Sequence, residues 1–255
     1  MTEPQPVDAA RTLHEWERRQ QEPRLLRVRE EPAFVLTTKP WKESSLIAEC
    51  FTQRHGRMVL AVRGAKRPGG RFRGLISPFC PLVVNYSGSG DVRNLTVARW
   101  LGSLMPAESS ALFSAFYVNE LLLRFTVREE PQSALFDSYT RTLTALCRGD
   151  AVQRPLREFE VDLLRAAGWG QRADSDEVLE DCVLREGRLE CLSRTTLRPG
   201  DVTVPAAVAR AILTRDFSNE AVLPSARNVL RSVIGYYVGS KGLAVRRTMA
   251  GWQRF

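Results

Sequence analysis

Hydrophobic positions along the chain change period once. From Ala33 to about Trp100 they fall into short runs rich in β-branched and aromatic residues: "AFVLTT", "SSLIAECFT", "RMVLAVRG", "PLVVNYSG" and "VRNLTVARW". In the second run Leu46, Ala48 and Cys50 alternate with polar Ser45 and Glu49, while Ile47 breaks the alternation. The segments "KPWKE", "QRHG", "KRPGGRFRG" and "SGSGD" separate the runs with residues that favour turns. Short strands at this spacing predict a small barrel or sandwich, and five of them in about 70 residues match the size of an OB-fold barrel.

After Pro106 the period becomes helical. In "ESSALFSAFYVNELLLRFTV" Leu112, Phe116, Asn119, Leu123 and Val127 recur near helical spacing, with Glu108 and Ser109 at the start and Pro131 opening the next segment. "SALFDSYTRTLTALC" aligns Leu135, Tyr139, Leu143 and Leu146 on one face. "PLREFEVDLLRAAGWG" opens at Pro155 and stops at Gly168 and Gly170. Residues 203–216 and 224–239 predict two further helices. Before them, after the third helix, Val183 and Leu184, then "REG", then Leu189 and Leu192 predict a short β-hairpin. Residues 1–31 are charged and poor in apolar residues after Trp16, which fits an extension that is helical in part or disordered. The expected class is α+β: an N-terminal OB-fold β-barrel over 32–104, then a helical domain over 105–255 with a hairpin insertion at about 172–200.

Charge sharpens this picture. The 255 residues hold 37 Lys/Arg against 29 Asp/Glu, a net charge of +8. The excess sits in two windows without a single acid, residues 50–90 with seven cations and residues 221–255 with six. Solvated surfaces mix signs, so two acid-free windows point to a polyanion, most simply nucleic acid. An anionic membrane surface is the rival, but neither window reads as a basic amphipathic helix with a broad apolar face. No apolar run approaches the ~20 residues of a membrane span. The N-terminus lacks the apolar core of a secretion signal, so a cytoplasmic location is expected. Cys50, Cys80, Cys147, Cys182 and Cys191 are scattered without a C-x-x-C pair, which predicts reduced thiols rather than a disulfide framework.

The motifs of an enzyme do not assemble. "GAKRPGG" has glycines and a lysine in the wrong order for a phosphate loop, and "SGSGD" does not open a dinucleotide-binding helix. The histidines are His14, in the extension, and His55, in a turn between Arg54 and Arg57; neither has a nearby G-x-S-x-G. Glu129–Glu130 and Asp176–Glu177 read as solvated charge. Cys182 and Cys191 supply two of the four ligands a closed zinc site needs, so a plain hairpin with apolar thiols is expected and no metal.

Nucleic-acid binding needs only cations and flat rings. Arg57, Arg63, Lys66, Arg67, Arg71 and Arg73 can neutralise phosphates from a mobile loop and its flanking strands, and Gly64, Gly69 and Gly70 let backbone approach closely. Phe79 and Tyr86 sit in apolar strand contexts and read as core; Trp41 and Phe72 are open to core packing or base stacking. In the second window Val229, Val233 and Tyr236 or Tyr237 form an apolar face, Arg227 and Arg231 lie one turn apart, and Lys241, Arg246 and Arg247 follow a glycine-flanked break. No recognition helix with base-reading side chains is evident, so little sequence specificity is expected.

The string "AFVLTTKPWKESSLIAECFTQRHGRMVLAVRGAKRP" followed by "RGLISPFCPLVVNYSGSGDVRNL" resembles the barrel of the RecO family of bacterial recombination mediators. "FYVNELLLR", "LREFEVDLLRAAGWG" and "YYVGSKGLAVRR" resemble its helical half in the same order, over roughly residues 33–250 in all. The resemblance implies binding of single- and double-stranded DNA and annealing of complementary strands, without catalysis or cofactor. It implies RecR as a partner, RecA as the protein loaded, and docking of the acidic, phenylalanine-ended tail of single-stranded-DNA-binding protein on the helical domain. For that tail it points to Arg157 of "LREFE", with Leu156 and Phe159 around it. Some family members carry four zinc-binding cysteines in the hairpin region; only Cys182 and Cys191 stand there in this chain, so no metal carries over. An adaptor whose basic surfaces meet acidic protein tails, with DNA contact incidental, is the alternative.

Overall fold

The five apolar runs close into a barrel. A computed structural model describes residues 26–102, 104, 106, 108–149, 152–170, 180–192, 195–239 and 242–245. The strands are β1 (Leu26–Trp41), β2 (Ser45–Thr52), β3 (Gly56–Val62), β4 (Pro81–Gly88) and β5 (Val92–Trp100). They run in the order β1-β2-β3-β5-β4 and close on themselves through β1 and β4. Every pairing is antiparallel except β3 with β5. Strand β1 serves both closing edges: Leu26 to Phe34 pair with β4, and Ala33 to Trp41 pair with β2. Irregularities between Val28 and Glu31 and between Val35 and Thr37 give it the bends this double role requires.

Strand β1 begins at Leu26, inside the segment expected to be an extension up to residue 31. Its first residues hide the strand signal. Val28 is buried and Arg27, Arg29 and Glu30 are exposed, but the next buried residue is Glu31, an acid with no solvent exposure. Its carboxylate accepts from the Arg54 backbone N–H and Nε, both at 2.7 Å, which offsets the cost of burying it in the barrel wall. Residues 1–25 of the expected extension lie outside the described residues.

Alternation along β1 divides two cores. Ala33 and Val35 join Ala48, Met58, Leu60, Val62, Leu82 and Val84 inside the barrel. Phe34 and Leu36 face outward, and with Phe51 and Phe79 they enter the core of the helical region. The Phe34 ring lies 5.5 Å from Phe136 and 5.1 Å from Tyr139, and the Phe51 ring lies 5.6 and 6.1 Å from the same two. Both faces of "AFVL" are therefore covered, which is why the run is continuously apolar.

The helical region consists of α1 (Ser109–Phe125), α2 (Ser133–Arg148), α3 (Gln153–Ala166), α4 (Ala206–Thr214) and α5 (Leu223–Val238). Buried Asn119 on α1 ties the two halves together: its Nδ2 donates to Leu36 O at 2.9 Å and its Oδ1 accepts from Tyr139 OH at 2.7 Å. The inserted hairpin is β6 (Cys182–Arg185) and β7 (Arg188–Cys191). A third strand, β8 (Val202–Val204), pairs with β6, so the small sheet has the order β7-β6-β8. β8 occupies the front of the segment expected to be helical from 203, and the helix itself starts only after Pro205. No helix among the described residues is long and apolar enough to cross a membrane.

Candidate nucleic-acid interface

The β3–β4 connection is a wound cap and not a loose loop. Arg67 N–H donates to Gly64 O, Gly70 N–H to Arg67 O and Arg73 N–H to Gly70 O at 3.1, 3.0 and 2.9 Å, a chain of successive turns. Gly64, Gly69 and Gly74 take positive φ values of 71°, 73° and 78°. At Gly70 the demand is for space: a Cβ there would lie 2.5 Å from the Gly64 carbonyl oxygen. Ala65 and Phe72 are buried in the barrel core and anchor the cap at two points. Phe72 thus packs inward, as do Phe79 and Tyr86, and none of the three is a stacking platform. For Tyr86, burial first and the nearby Glu31 second push the phenol well above its ordinary value of 10.

With Phe72 held inside, its neighbours point out. Arg63, Lys66, Arg67, Arg71 and Arg73 are all exposed, and none has a carboxylate partner among the described residues. The Arg71 guanidinium carbon sits 4.6 Å from the Phe72 ring centroid, so the same phenylalanine that anchors the cap steadies one of its cations. The β1–β2 turn joins this surface: Lys66 N–H donates to Ser44 O at 3.0 Å and Lys66 Nζ to Lys42 O at 3.2 Å. That contact brings in exposed Lys42, whose Nζ lies 4.5 Å from the centroid of half-buried Trp41. From the sequence Trp41 of "KPWKE" stands out as a stacking candidate but its lysines do not; their signal lies in the β1–β2 turn of an OB barrel, a usual ligand-contacting loop. Exposed Glu43 is the acid of that turn.

Arg57 does not belong to the cap. It stands at the start of β3 and is spent on the seam with the helical region. Its Nη1 meets Glu49 Oε2 at 2.7 Å, its Nε donates to Thr126 Oγ1 at 3.2 Å, and its Nη2 donates to Thr126 O at 2.7 Å. Arg128 also pairs with Glu49. Burial of Glu49 opposes its ionisation, but hydrogen bonds from Arg128 and Arg57 prevail and hold its carboxyl below the ordinary 4.5. The Glu129 N–H donates to Arg57 O at 3.0 Å, and a Cβ on Gly56 would fall 1.9 Å from Glu130 O, so this seam admits only glycine in the β2–β3 turn.

The residues expected to dock an acidic tail are not on the surface. Leu156 and Phe159 lie in the helical core, and Arg157 is 3% exposed. Arg157 Nη2 meets Glu160 Oε1 at 2.7 Å, and the same oxygen accepts from Tyr117 OH at 2.7 Å. This Arg157–Glu160–Tyr117 network joins α3 to α1 and leaves no face for a ligand. In the second basic window Val229 and Val233 are buried, Tyr237 stacks on Trp169 with ring centroids 4.6 Å apart, and Tyr236 is exposed. Arg227 and Arg231 are exposed on α5. Lys241, Arg246 and Arg247 lie outside the described residues. Cys182 and Cys191 face each other across β6 and β7, and among the described residues no three His, Cys, Asp or Glu cluster as metal ligands would.

Two family models match the chain, one described as Recombination protein O N terminal over residues 27–104 and one as Recombination protein O C terminal over residues 107–244. Their junction falls between the barrel and α1. A protein of Burkholderia orbicola named DNA repair protein RecO is 36% identical over 234 residues, covering 89% of this chain and 84% of that protein. One of the same name from Aromatoleum aromaticum is 36% identical over 235 residues, covering 88% and 95%.

Proposed function

The chain belongs to the RecO family of DNA repair proteins, and from that premise we propose that it is a recombination mediator that works by binding alone. It binds single- and double-stranded DNA without sequence preference through the cap cations Arg63, Lys66, Arg67, Arg71 and Arg73, with Lys42 beside them. The second basic window, through Arg227 and Arg231 and onward to Lys241, Arg246 and Arg247, offers a separate contact. Holding two strands on cationic surfaces lowers their mutual repulsion, so annealing needs charge neutralisation and proximity but no reacting group. In this reading the protein works with RecR in a bacterial cytoplasm, close to the nucleoid. It helps RecA onto strands coated by single-stranded-DNA-binding protein. The acidic tail of that protein is not assigned to Leu156, Arg157 and Phe159.

The observation that carries the reading is the cap: five exposed cations without carboxylate partners among the described residues, fixed to the barrel by a buried phenylalanine. The test replaces all five with Gln and titrates a labelled oligothymidine and a mixed-sequence duplex over a series of salt concentrations, with strand annealing followed in parallel. Affinity should fall for both DNAs alike, annealing should slow, and the slope of log K against log salt should shrink by about 0.7 per lost contact on single strands. Unchanged affinity and slope would sink the reading. A slope near zero in the unaltered protein would favour the adaptor.

A further inference from the structure

The β6–β7 hairpin turns on Glu186 and Gly187 with φ values of 48° and 76°, the two left-handed positions of a tight two-residue turn. Such a turn fixes the register: Arg185 faces Arg188, Leu184 faces Leu189, Val183 faces Glu190, and Cys182 faces Cys191. Hydrogen-bonded and non-hydrogen-bonded pairs alternate outward from the turn. The pair flanking it is hydrogen-bonded, so Cys182 and Cys191 form a non-hydrogen-bonded pair, the closer kind, with Cα atoms about 4.5 Å apart. That separation falls within the span a disulfide bridges, about 4.4–6.8 Å. The two sulfurs already stand 3.7 Å apart, with both residues as free thiols. Cys50 in the barrel, Cys80 at its cap and Cys147 at the end of α2 are on other elements.

We propose that Cys182 and Cys191 form a reversible cross-strand disulfide by exchange with an oxidised low-molecular-weight thiol. Cys191 is the half-buried member and attacks first. It gives its proton to solvent, and its thiolate attacks one sulfur of the small disulfide, whose S–S bond breaks and releases one small thiol. Cys182 then loses its proton, attacks Cys191 Sγ, and expels the second small thiol as the protein S–S bond forms. Two electrons and two protons pass from the cysteine pair to the small disulfide, which leaves as two thiols. Burial first, and the neighbouring Cys191 second, raise the Cys182 thiol well above its ordinary value of 9, so Cys182 waits as the resolving partner and does not start the exchange.

The full chain, incubated with oxidised glutathione at falling ratios of reduced to oxidised form, is read by intact mass, thiol count and peptide map. Arg185 and Arg188 lie between the two cysteines, so trypsin leaves them on separate peptides that only the new bond can join. The expected product has lost two hydrogens and two of its five thiols, retains no glutathione, yields the joined Cys182 and Cys191 peptides, and reverts with dithiothreitol. Five intact thiols, a lasting glutathione adduct on Cys191, or a bond joining other cysteines or two chains would overturn the proposal. The same would follow if the bond formed in urea but not in the native chain. In Cys191→Ser, with its circular dichroism unchanged, the loss of two hydrogens should vanish; its persistence would equally overturn the proposal.

Discussion

Arg71 and Arg157 stand near buried phenylalanines in the short stretches "RFR" and "LREFE", and the fold uses them in opposite ways. In the cap, Phe72 is drawn into the barrel and Arg71 stays in solvent with no carboxylate partner among the described residues. On α3, Phe159 and Arg157 are both drawn in, and Glu160 is drawn in with them. The difference is the acid. No Asp or Glu occurs between residues 50 and 90, so the cap cations have nothing local to pair with. Glu160 stands one helical turn from Arg157, where a pair can close and be buried. A cation becomes available to a ligand when the chain supplies no acid within reach.

The comparison breaks most visibly at Arg157. Arg157→Ala leaves Glu160 buried and uncompensated, at a cost of about 3–5 kcal/mol. A urea titration should show that loss, while the salt slope of DNA binding stays the same when measured on the folded fraction. A stable variant with weakened DNA binding would return Arg157 to the interface. Phe72→Ala follows, at about 3 kcal/mol for a buried ring in the barrel core. If Phe72 stacked on bases instead, stability would hold and single-strand affinity alone would fall.

The strands were legible because turn-forming residues bracket each apolar run, and the barrel follows from their number. The start of β1 was not, since period two reads as noise when Glu31 takes a buried position on the strength of Arg54, 23 residues away. β8 was hidden because three residues carry no period of their own and pair with a strand 20 residues earlier. The cap cations were found by charge alone. Arg57 was swept up with them because its partners Glu49 and Thr126 lie outside the acid-free window or come from another element. The burial of Arg157 did leave a trace: Arg157, Glu160 and Leu164 recur at i, i+3 and i+7 on the stripe that α3 turns inward. Lys42 joined the candidate surface only when the fold set its turn against Lys66.

Arg57 permits a finer test of the same distinction, through pH. The Glu49 carboxyl is held below its ordinary 4.5 by Arg128 and Arg57 against the cost of burial. A carboxyl lowered on folding contributes its stabilisation fully above its unfolded value and loses it as pH falls through the folded one. The urea midpoint of the unaltered protein should therefore drop more steeply below pH 4.5 than that of Glu49→Gln. Other carboxylates titrate in both proteins and cancel in the difference. Parallel curves would mean that the seam pair adds nothing to stability, and Arg57 could then be counted with the cap.

The smallest effect falls at the edge of the interface. Lys42 is exposed, its amine lies over Trp41, and its carbonyl holds Lys66 in place. Lys42→Gln keeps the backbone and that carbonyl, so stability should stay within about 0.5 kcal/mol. If DNA runs along the cap and onto the β1–β2 turn, removing this one charge reduces the single-strand salt slope by about 0.7. If DNA touches only the cap, the slope does not move. Trp41→Leu then separates charge from stacking at the same place. A lost base contact weakens single-strand binding by about 1–3 kcal/mol and leaves the salt slope alone, because a ring displaces no counterions. A lowered slope in Trp41→Leu would instead mean that the ring matters only as the support on which Lys42 rests.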